Sequence, residues 1–213
     1  MFLTGVSALA IATASLVVAP SIVRAQAQPV QPGADYTLNR QASAVGFTIT
    51  GSMLFKVKRD GSFKDFTGNL SYNPARPTDT HMDLTVYTDS VDMHNAEHDQ
   101  LLKSPGFFDV AHFPTMHFVS ASTIRKPDGS FSMTGDMTIR GITKRLTIPV
   151  KVRPESTGGQ SGTLFESTFQ IDRTEFGLNG VPKMGGIGVS ISKKVDIHIA
   201  IAARPGAPVI GTP

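Results

Sequence analysis

Residues 131–140 alternate apolar and polar side chains without a break. Phe131, Met133, Gly135, Met137 and Ile139 take one phase; Ser132, Thr134, Asp136, Thr138 and Arg140 take the other. A period of two is that of a β-strand, so such a run needs one dry face and one wet face. The pattern recurs at Val45, Phe47 and Ile49; at Met82, Leu84 and Val86; and at Leu146, Ile148, Val150 and Val152. It returns at Phe165, Ser167, Phe169 and Ile171, and at Val195, Ile197, Ile199 and Ile201. With the runs at 36–38, 63–72 and 115–125, about eight amphipathic strands are predicted. Asp60-Gly61, Asn73-Pro74, Lys126-Pro-Asp-Gly129, Arg140-Gly141 and Gly158-Gly159 supply turn signals between them. The chain is therefore all-β, and the two solutions with one dry face are a sandwich and a closed barrel, closure removing exposed edges.

One segment breaks the alternation. Residues 95–103 read as a short helix between the third and fourth strands. Asn95 is the expected N-cap, Glu97 and Asp99 occupy the first turn, Lys103 the last, and Pro105 stops it. The next residues carry Phe107, Phe108, Phe113 and Phe118 between and beyond Pro105 and Pro114. Such a density of aromatics where a helix hands over to a sheet is expected to plug one end of whatever the sheet encloses.

Eight strands enclose room for side chains alone or for one elongated small ligand. If the interior holds a ligand, the inward phases supply the candidate lining: Phe47, Phe108, Phe118, Phe131, Met133, Met137, Ile148, Phe165 and Phe169. Phe131, Met133, Met137, Phe165 and Phe169 are expected to share one wall, with Gly135 and Ser167 leaving room among them. Methionine is adaptable enough for a flexible guest, but it fills gaps in solid cores as well. Periodicity leaves both readings open. Lys193 would fall on the apolar phase of a continuous last strand, so residues 192–194 are expected to form a bulge that resets the register.

Residues 6–23 form an apolar run without a charge, followed by Val23-Arg24-Ala25, which suits cleavage before Gln26; Ala25-Gln26-Ala27 is a second candidate. This has the shape of a secretory signal over residues 1–25, although no Lys or Arg stands between Met1 and Val6. An uncleaved anchor is the alternative. Residues 26–33 are a polar leader, 34–203 a single domain, and 204–213 a disordered tail by composition. The expected location is the periplasm. The absence of cysteine excludes disulfides and thiol chemistry. A net charge of +3 from scattered basic residues gives no stripe suited to nucleic acid.

The chemical motifs are few. His94, Glu97 and His98 match the H-x-x-E-H pattern of a zinc hydrolase, with Glu175 as a distant third ligand. A cap at Asn95 would leave His94 off the helix and divide the pair. His112 and His117 read as surface or loop residues. No G-x-S-x-G elbow, phosphate loop or pair of carboxylates on one strand face is present, so neither an enzyme nor a cofactor is expected.

Three stretches together carry a family resemblance. Phe107-Phe108-Asp109 with Phe113-Pro114 and Phe118 resembles the "s-x-F-F-D-v-x-x-y-P-x-i-x-F" run of the YceI-like exported lipid-binding proteins. Gly135-Asp-Met-Thr-Ile-Arg-Gly141-Ile-Thr-Lys144 resembles their "G-x-L-T-I-x-G-v-T-k" hairpin, with Met137 in place of Leu. Ile171-Asp-Arg173-Thr-Glu175-Phe176-Gly177 resembles their "i-x-R-x-d-F-G" run. The helix departs from the family's Arg-Asp-x-His-Leu, reading His98, Asp99, Gln100, Leu101 and Leu102 at the matching positions. The resemblance implies an eight-stranded antiparallel lipocalin-like barrel, with Glu175 in a structural turn. Its interior would hold a long-chain isoprenoid or fatty-acyl-type lipid, without a reaction. It implies a structural Arg173, bonded to a carboxylate or to carbonyls near residues 104–118, with Asp109 as the candidate partner. A carrier of this kind is compatible with peripheral membrane contact and with a homodimer. The alternatives are a solid-cored structural or partner-binding barrel and, more distantly, the zinc hydrolase.

Overall fold

The structure is a computed structural model and describes residues 34–52, 56–157, 160–180 and 190–206. In chain order the strands are β1 (Ala34–Leu38), β2 (Ala44–Ser52), β3 (Lys56–Phe63), β4 (Phe66–Tyr72), β5 (His81–Tyr87) and β6 (Val91–Asp92). After helix α1 (Ala96–Lys103) come β7 (Thr115–Arg125), β8 (Phe131–Ile139), β9 (Ile142–Thr157), β10 (Gln160–Asp172) and β11 (Ser190–Pro205). Every pairing is antiparallel. The order β1-β4-β5-β7-β8-β9-β10-β11 closes on itself through β1 and β11, which makes an eight-stranded barrel.

The remaining strands β2, β3 and β6 continue three of those eight. β11 is long enough to pair with β1 at one end, where Leu38 faces Ala203, and with β2 along the rest, where Ile49 faces Val195. β1 and β2 are thus one strand bent at the single turn Arg40–Ala42. β3 and β4 bend at Lys64 and Asp65, and β5 and β6 bend at the turn Thr88–Ser90. Both of these bends are pinned. Ser90 accepts from Lys64 N at 3.1 Å through its carbonyl and from Asp65 N at 3.0 Å through its hydroxyl. Thr88, almost wholly buried, donates its hydroxyl to Phe113 O at 2.8 Å and its amide to Pro114 O at 2.9 Å.

The turns are those the residues call for. Gly129 and Gly141 have φ of 83° and 72°, and Arg140 shares the left-handed region at 49°. The Arg140-Gly141 pair closes a two-residue hairpin with Ile139 opposite Ile142. Residues 192–194 form the expected bulge: the register shifts between Ile191 and Val195, and Lys193 is exposed. Asp60-Gly61 is not a turn. Both lie inside β3, where Gly61 faces Phe47, because a Cβ on Gly61 would stand 2.4 Å from the Phe47 ring and 2.5 Å from the Met93 sulfur. The glycine marks a ring crossing a strand. At the other boundary β11 runs through Pro205, which faces Tyr36, so the sheet extends past the tail boundary expected at 204. The signal, the leader, Gly158-Gly159 and the tail from 207 lie outside the described residues.

Helix α1 forms as its caps require. Asn95, extended at φ −152°, accepts from His98 N at 3.0 Å. Asp99 accepts from Met93 N at 2.7 Å. Lys103 in the last turn meets Asp89 at 2.9 Å. The carbonyls that the helix leaves open are then taken up by the chain that follows: Phe108 N bonds Leu102 O, and Val110 N bonds Lys103 O. The aromatic stretch is thereby wrapped onto the end of α1.

Candidate functional site

The barrel interior is divided along its length. At the end bounded by β1, the space is filled by side chains. Tyr36, Tyr72 and Phe165 pack edge to face with centroids 5.1–6.4 Å apart. Met133 is 1% exposed and Ile201 0%, with Leu70, Phe131, Ile148 and Val150 buried around them. Burying each such side chain stabilises by roughly 1.5–3 kcal/mol.

Toward α1 the interior is hollow. A cavity of about 220 Å³ is bounded by the inward faces of β2 (Val45, Phe47, Ile49) and β11 (Val195, Ile197, Ile199). Phe118 of β7, with Met137 and Ile139 of β8, forms another wall, and Leu101, Leu102, Phe107 and Phe108 cover it from the helix and the stretch after it. An apolar cavity of ~150 Å³ already stays dry and admits an apolar guest, so this one has ample room for part of a hydrocarbon chain. On the inward phase of β3, Arg59 follows Gly61 toward the chain's start and is exposed; Val57, one step further, is 47% exposed. The inner wall reaches solvent there.

Four of the nine candidate residues line the cavity: Phe47, Phe108, Phe118 and Met137. Phe131, Met133, Ile148 and Phe165 are buried in the filled half, and Phe169 is half-buried against the core. The expected common wall is thus split, with only Met137 of its five members at the cavity. Gly135 and Ser167 leave no room for a guest. A Cβ on Gly135 would lie 2.6 Å from the Phe118 ring and 2.5 Å from Val119 O, and the Ser167 hydroxyl donates to Pro149 O at 2.6 Å. The lining that the sequence did not single out comes chiefly from β2, β11, α1 and Phe107. The signal for β11 was present in its unbroken Val195–Ile201 alternation.

The polar groups of the lining are basic. His98 looks in from the first turn of α1, Arg59 from β3, and Arg173 from the single turn Arg173–Phe176. His117 borders the cavity but bonds the outward-facing Thr85 and Thr115. Arg173 is part-buried and donates to three carbonyls: Ser192 at 3.0 Å, Ile191 at 3.2 Å, and Leu178. Burial lowers its pKa from the ordinary arginine value, with Asp172 opposing. The His94, Glu97 and His98 motif is divided by the Asn95 cap: His94 stands before the helix at φ 55° and lies 3.3 Å from Asp92. Among the described residues no group of three or more His, Cys, Asp or Glu could hold a metal ion.

A model of the YceI-like domain matches residues 36–203. The chain belongs to the YceI-like family. A UPF0312 protein of Shewanella denitrificans is 34% identical over 169 residues, covering 78% of this chain and 86% of that protein. Among solved structures, Burkholderia cenocepacia BcnA has a TM-score of 0.66 at 20% identity, over 78% of this chain and 98% of BcnA. A polyisoprenoid binding domain from Saccharophagus degradans, implicated in plant cell wall breakdown, has a TM-score of 0.62 at 12% identity, over 82% and 99% of the two chains. Those two likenesses are of fold.

The three YceI-like sequence stretches converge on the cavity end. Asp109, in the left-handed region at φ 52°, accepts from or pairs with His112 Nδ1 at 2.9 Å and lies 3.8 Å from Arg140. Arg140 also donates to Gly177 O at 2.5 Å, so the hairpin holds the other two stretches together. Asp109 therefore neighbours Arg140, and Arg173 bonds carbonyls; the expected Asp109–Arg173 pair does not form. The tight hairpin at Arg140-Gly141 turns the nearer guanidinium toward Asp109, while the carbonyls of 178, 191 and 192 surround Arg173. Glu175 lies in the turn and meets Lys144 at 3.7 Å.

Proposed function

We propose that this protein is an exported carrier that holds a long-chain isoprenoid or related amphiphilic lipid in the hollow half of its barrel. The observation that carries this reading is the apolar cavity between β2, β11, β7, β8 and the aromatic cover after α1. The polyisoprenoid-binding neighbour of like fold supports the class of guest. At about 0.8 kcal/mol per methylene removed from water, roughly ten to twelve methylenes nominally reach micromolar affinity before ordering costs. Export through residues 1–25 into the periplasm, transient contact with a membrane and pairing of two barrels are further parts of the proposal.

Organic extraction of the purified mature protein, followed by mass spectrometry, tests the reading. A long-chain lipid recovered near one per chain is the expected result. The filled half favours the rival of a solid structural barrel. Absence of extractable lipid, together with no uptake of an added long-chain lipid by the stripped protein, would establish that rival.

A further inference from the structure

The barrel wall is not zipped along its whole length. β9 and β10 pair from Thr157 opposite Gln160 to Lys151 opposite Glu166, and no further. Each strand then runs on, paired with its other neighbour: β9 with β8 as far as Ile142, and β10 with β11 as far as Asp172. Pro149 stands where the ladder stops. Its carbonyl points at β10 and accepts the Ser167 hydroxyl at 2.6 Å, so the N–H that a proline lacks is missing from that same edge. The outward side chains past this point turn away from the gap as well. Thr143 bonds Thr138 at 2.8 Å, Arg145 bonds Asp136 at 2.8 and 2.6 Å, and Thr147 bonds Thr134 at 2.8 Å, all toward β8. Gln170 bonds Asp196 of β11 at 2.8 Å. Among the described residues, the next tie between the two sides is Lys144 with Glu175 at 3.7 Å, beside the bond from Arg140 to Gly177 O. Between that tie and Ser167 the two strands form a seam.

The seam flanks the hollow half. Ile171 shares a row with Val195 and Ile49, and Phe169 shares the next with Ile197 and Phe47; all of these but Phe169 line the cavity. Across the seam Leu146 stands opposite Gly135, one inward position from Met137. Leu146 and Phe169, both on inward phases, are only half-buried, whereas the next inward residues, Ile148 and Ile171, are buried. The unpaired interval between β1 and β4, past Tyr36 and Leu70, adjoins the filled half instead and ends at the Arg40–Asp65 ion pair.

From this we infer that the seam between β9 and β10 is a lateral portal, through which the hydrocarbon chain of the guest enters and leaves the cavity past Leu146 and Phe169. The inference rests on the lipid-binding reading and adds the route. Crossing the wall where it is zipped breaks ladder hydrogen bonds and strands their buried partners; at the seam two side chains need only change rotamer. The inner wall also meets solvent at Arg59, but there a charge faces the passing hydrocarbon.

The test uses the full mature chain, stripped of lipid, with one acyl and one prenyl fluorescent probe, cis-parinarate and anthraniloyl geranylgeraniol. The chain has no cysteine, so Thr147→Cys with Gln170→Cys places a unique thiol pair across the seam on its outer face. A short bis-methanethiosulfonate linker bridges the pair, and reductant releases it. Bridging is expected to slow uptake and release of the bound probe alike, by at least about tenfold at unchanged Kd, and reductant to restore both rates. Thr134→Cys with Thr147→Cys, bridged across the paired β8 and β9, is expected to leave both rates as in the wild type. Leu146→Ala, which needs no linker, is expected to speed uptake and release several-fold. Unchanged rates in the bridged seam, equal slowing by the control bridge, or unchanged rates in Leu146→Ala each overturn the portal and leave the lipid-binding reading standing. Failure of the stripped wild type to bind either probe removes the lipid-binding reading itself.

Discussion

Met133 and Met137 lie on the same phase of β8 and are separated by one inward position, yet they face opposite halves of the barrel. Met133 is enclosed in the filled half at 1% exposure, while Met137 borders the cavity. Truncating each to alanine removes the same atoms, so any difference measures the surroundings alone. At Met133 the lost transfer energy of three heavy-atom groups is about 2.4 kcal/mol at ~0.8 each. A new void on the order of 60 Å³ adds about 1.4 kcal/mol at ~24 cal/mol per Å³, for a total near 4. At Met137 the side chain already lacks partners toward the cavity, and a gap of that kind forfeits a quarter to a half or more of the contact energy. The void is also pre-existing. The expected loss is then about 1–2 kcal/mol, below the roughly 2–5 kcal/mol usual for such truncations in a packed core.

The difference of about 2 kcal/mol corresponds to roughly 4–8 °C in Tm for a domain of this size. Urea melts of both variants, stripped of lipid, measure it as a shift in midpoint at constant slope. Equal losses at the two positions would mean that Met137 is packed as tightly as Met133, and the division of the barrel into filled and hollow halves would be refuted. Lipid retention provides the reciprocal reading: Met137→Ala is expected to alter it and Met133→Ala to leave it in place.

Gly135→Ala is expected to destabilise by about 1–3 kcal/mol through overpacking against Phe118 and Val119 O, and Phe118→Leu in the same chain to recover part of that loss, read from melts of the double variant. Asn95→Ala is expected to cost about 1 kcal/mol through the lost cap on His98 N, measured in the same way. Arg173→Ala leaves three carbonyls without their donor and is expected to lose a few kcal/mol. Combined with Asp109→Ala the losses should add in a double-mutant cycle, whereas Asp109→Ala with Arg140→Ala should not. Asp92 has its pKa lowered, first by the Lys64 ammonium 2.6 Å from its carboxylate and then by the hydrogen bond from His94 N. The unfolded state therefore takes up more protons than the folded state as pH falls through the carboxylate range. The stabilisation from Asp92 is full above its unfolded value near 4 and is lost on acidification below it. Acid melts of Asp92→Asn should show a shallower decline than wild type.

How much of this was legible in the sequence follows from what each signal encodes. Alternation encodes the face a residue presents, and β8 buries every member of its apolar phase. Local backbone chemistry encodes turns and caps, which is why Gly129, Arg140-Gly141, Asn95 and the bulge before Val195 stand where expected. Gly61 misled because a glycine needed for a crossing ring is written like one needed for a turn. The partner of Asp109 was hidden for a related reason. Which guanidinium reaches it depends on how two distant hairpins meet, and spacing along the chain carries no record of that meeting.

The height of a residue along the barrel is a third kind of information, and the candidate site failed on it. Phe118 and Phe165 occupy the same phase in the same fold, but one borders empty space and the other is locked between two tyrosines. What separates them is the reach of side chains from the opposite wall. Tyr36 and Tyr72 sit on β1 and β4, the portions beyond the bends, and close only their own end. On the other side of those bends β2 and β3 line the cavity with Val45, Phe47, Ile49, Arg59 and Phe63; the Phe47 ring lies against Gly61 and packs on Phe63 with centroids 5.6 Å apart, and the space that remains is covered by α1 and its aromatics. The bends thus divide the labour within single strands: one segment packs the core that keeps the chain folded, the next lines a cavity that no side chain fills. A barrel so built can lose or gain a guest without repacking the half that holds it together.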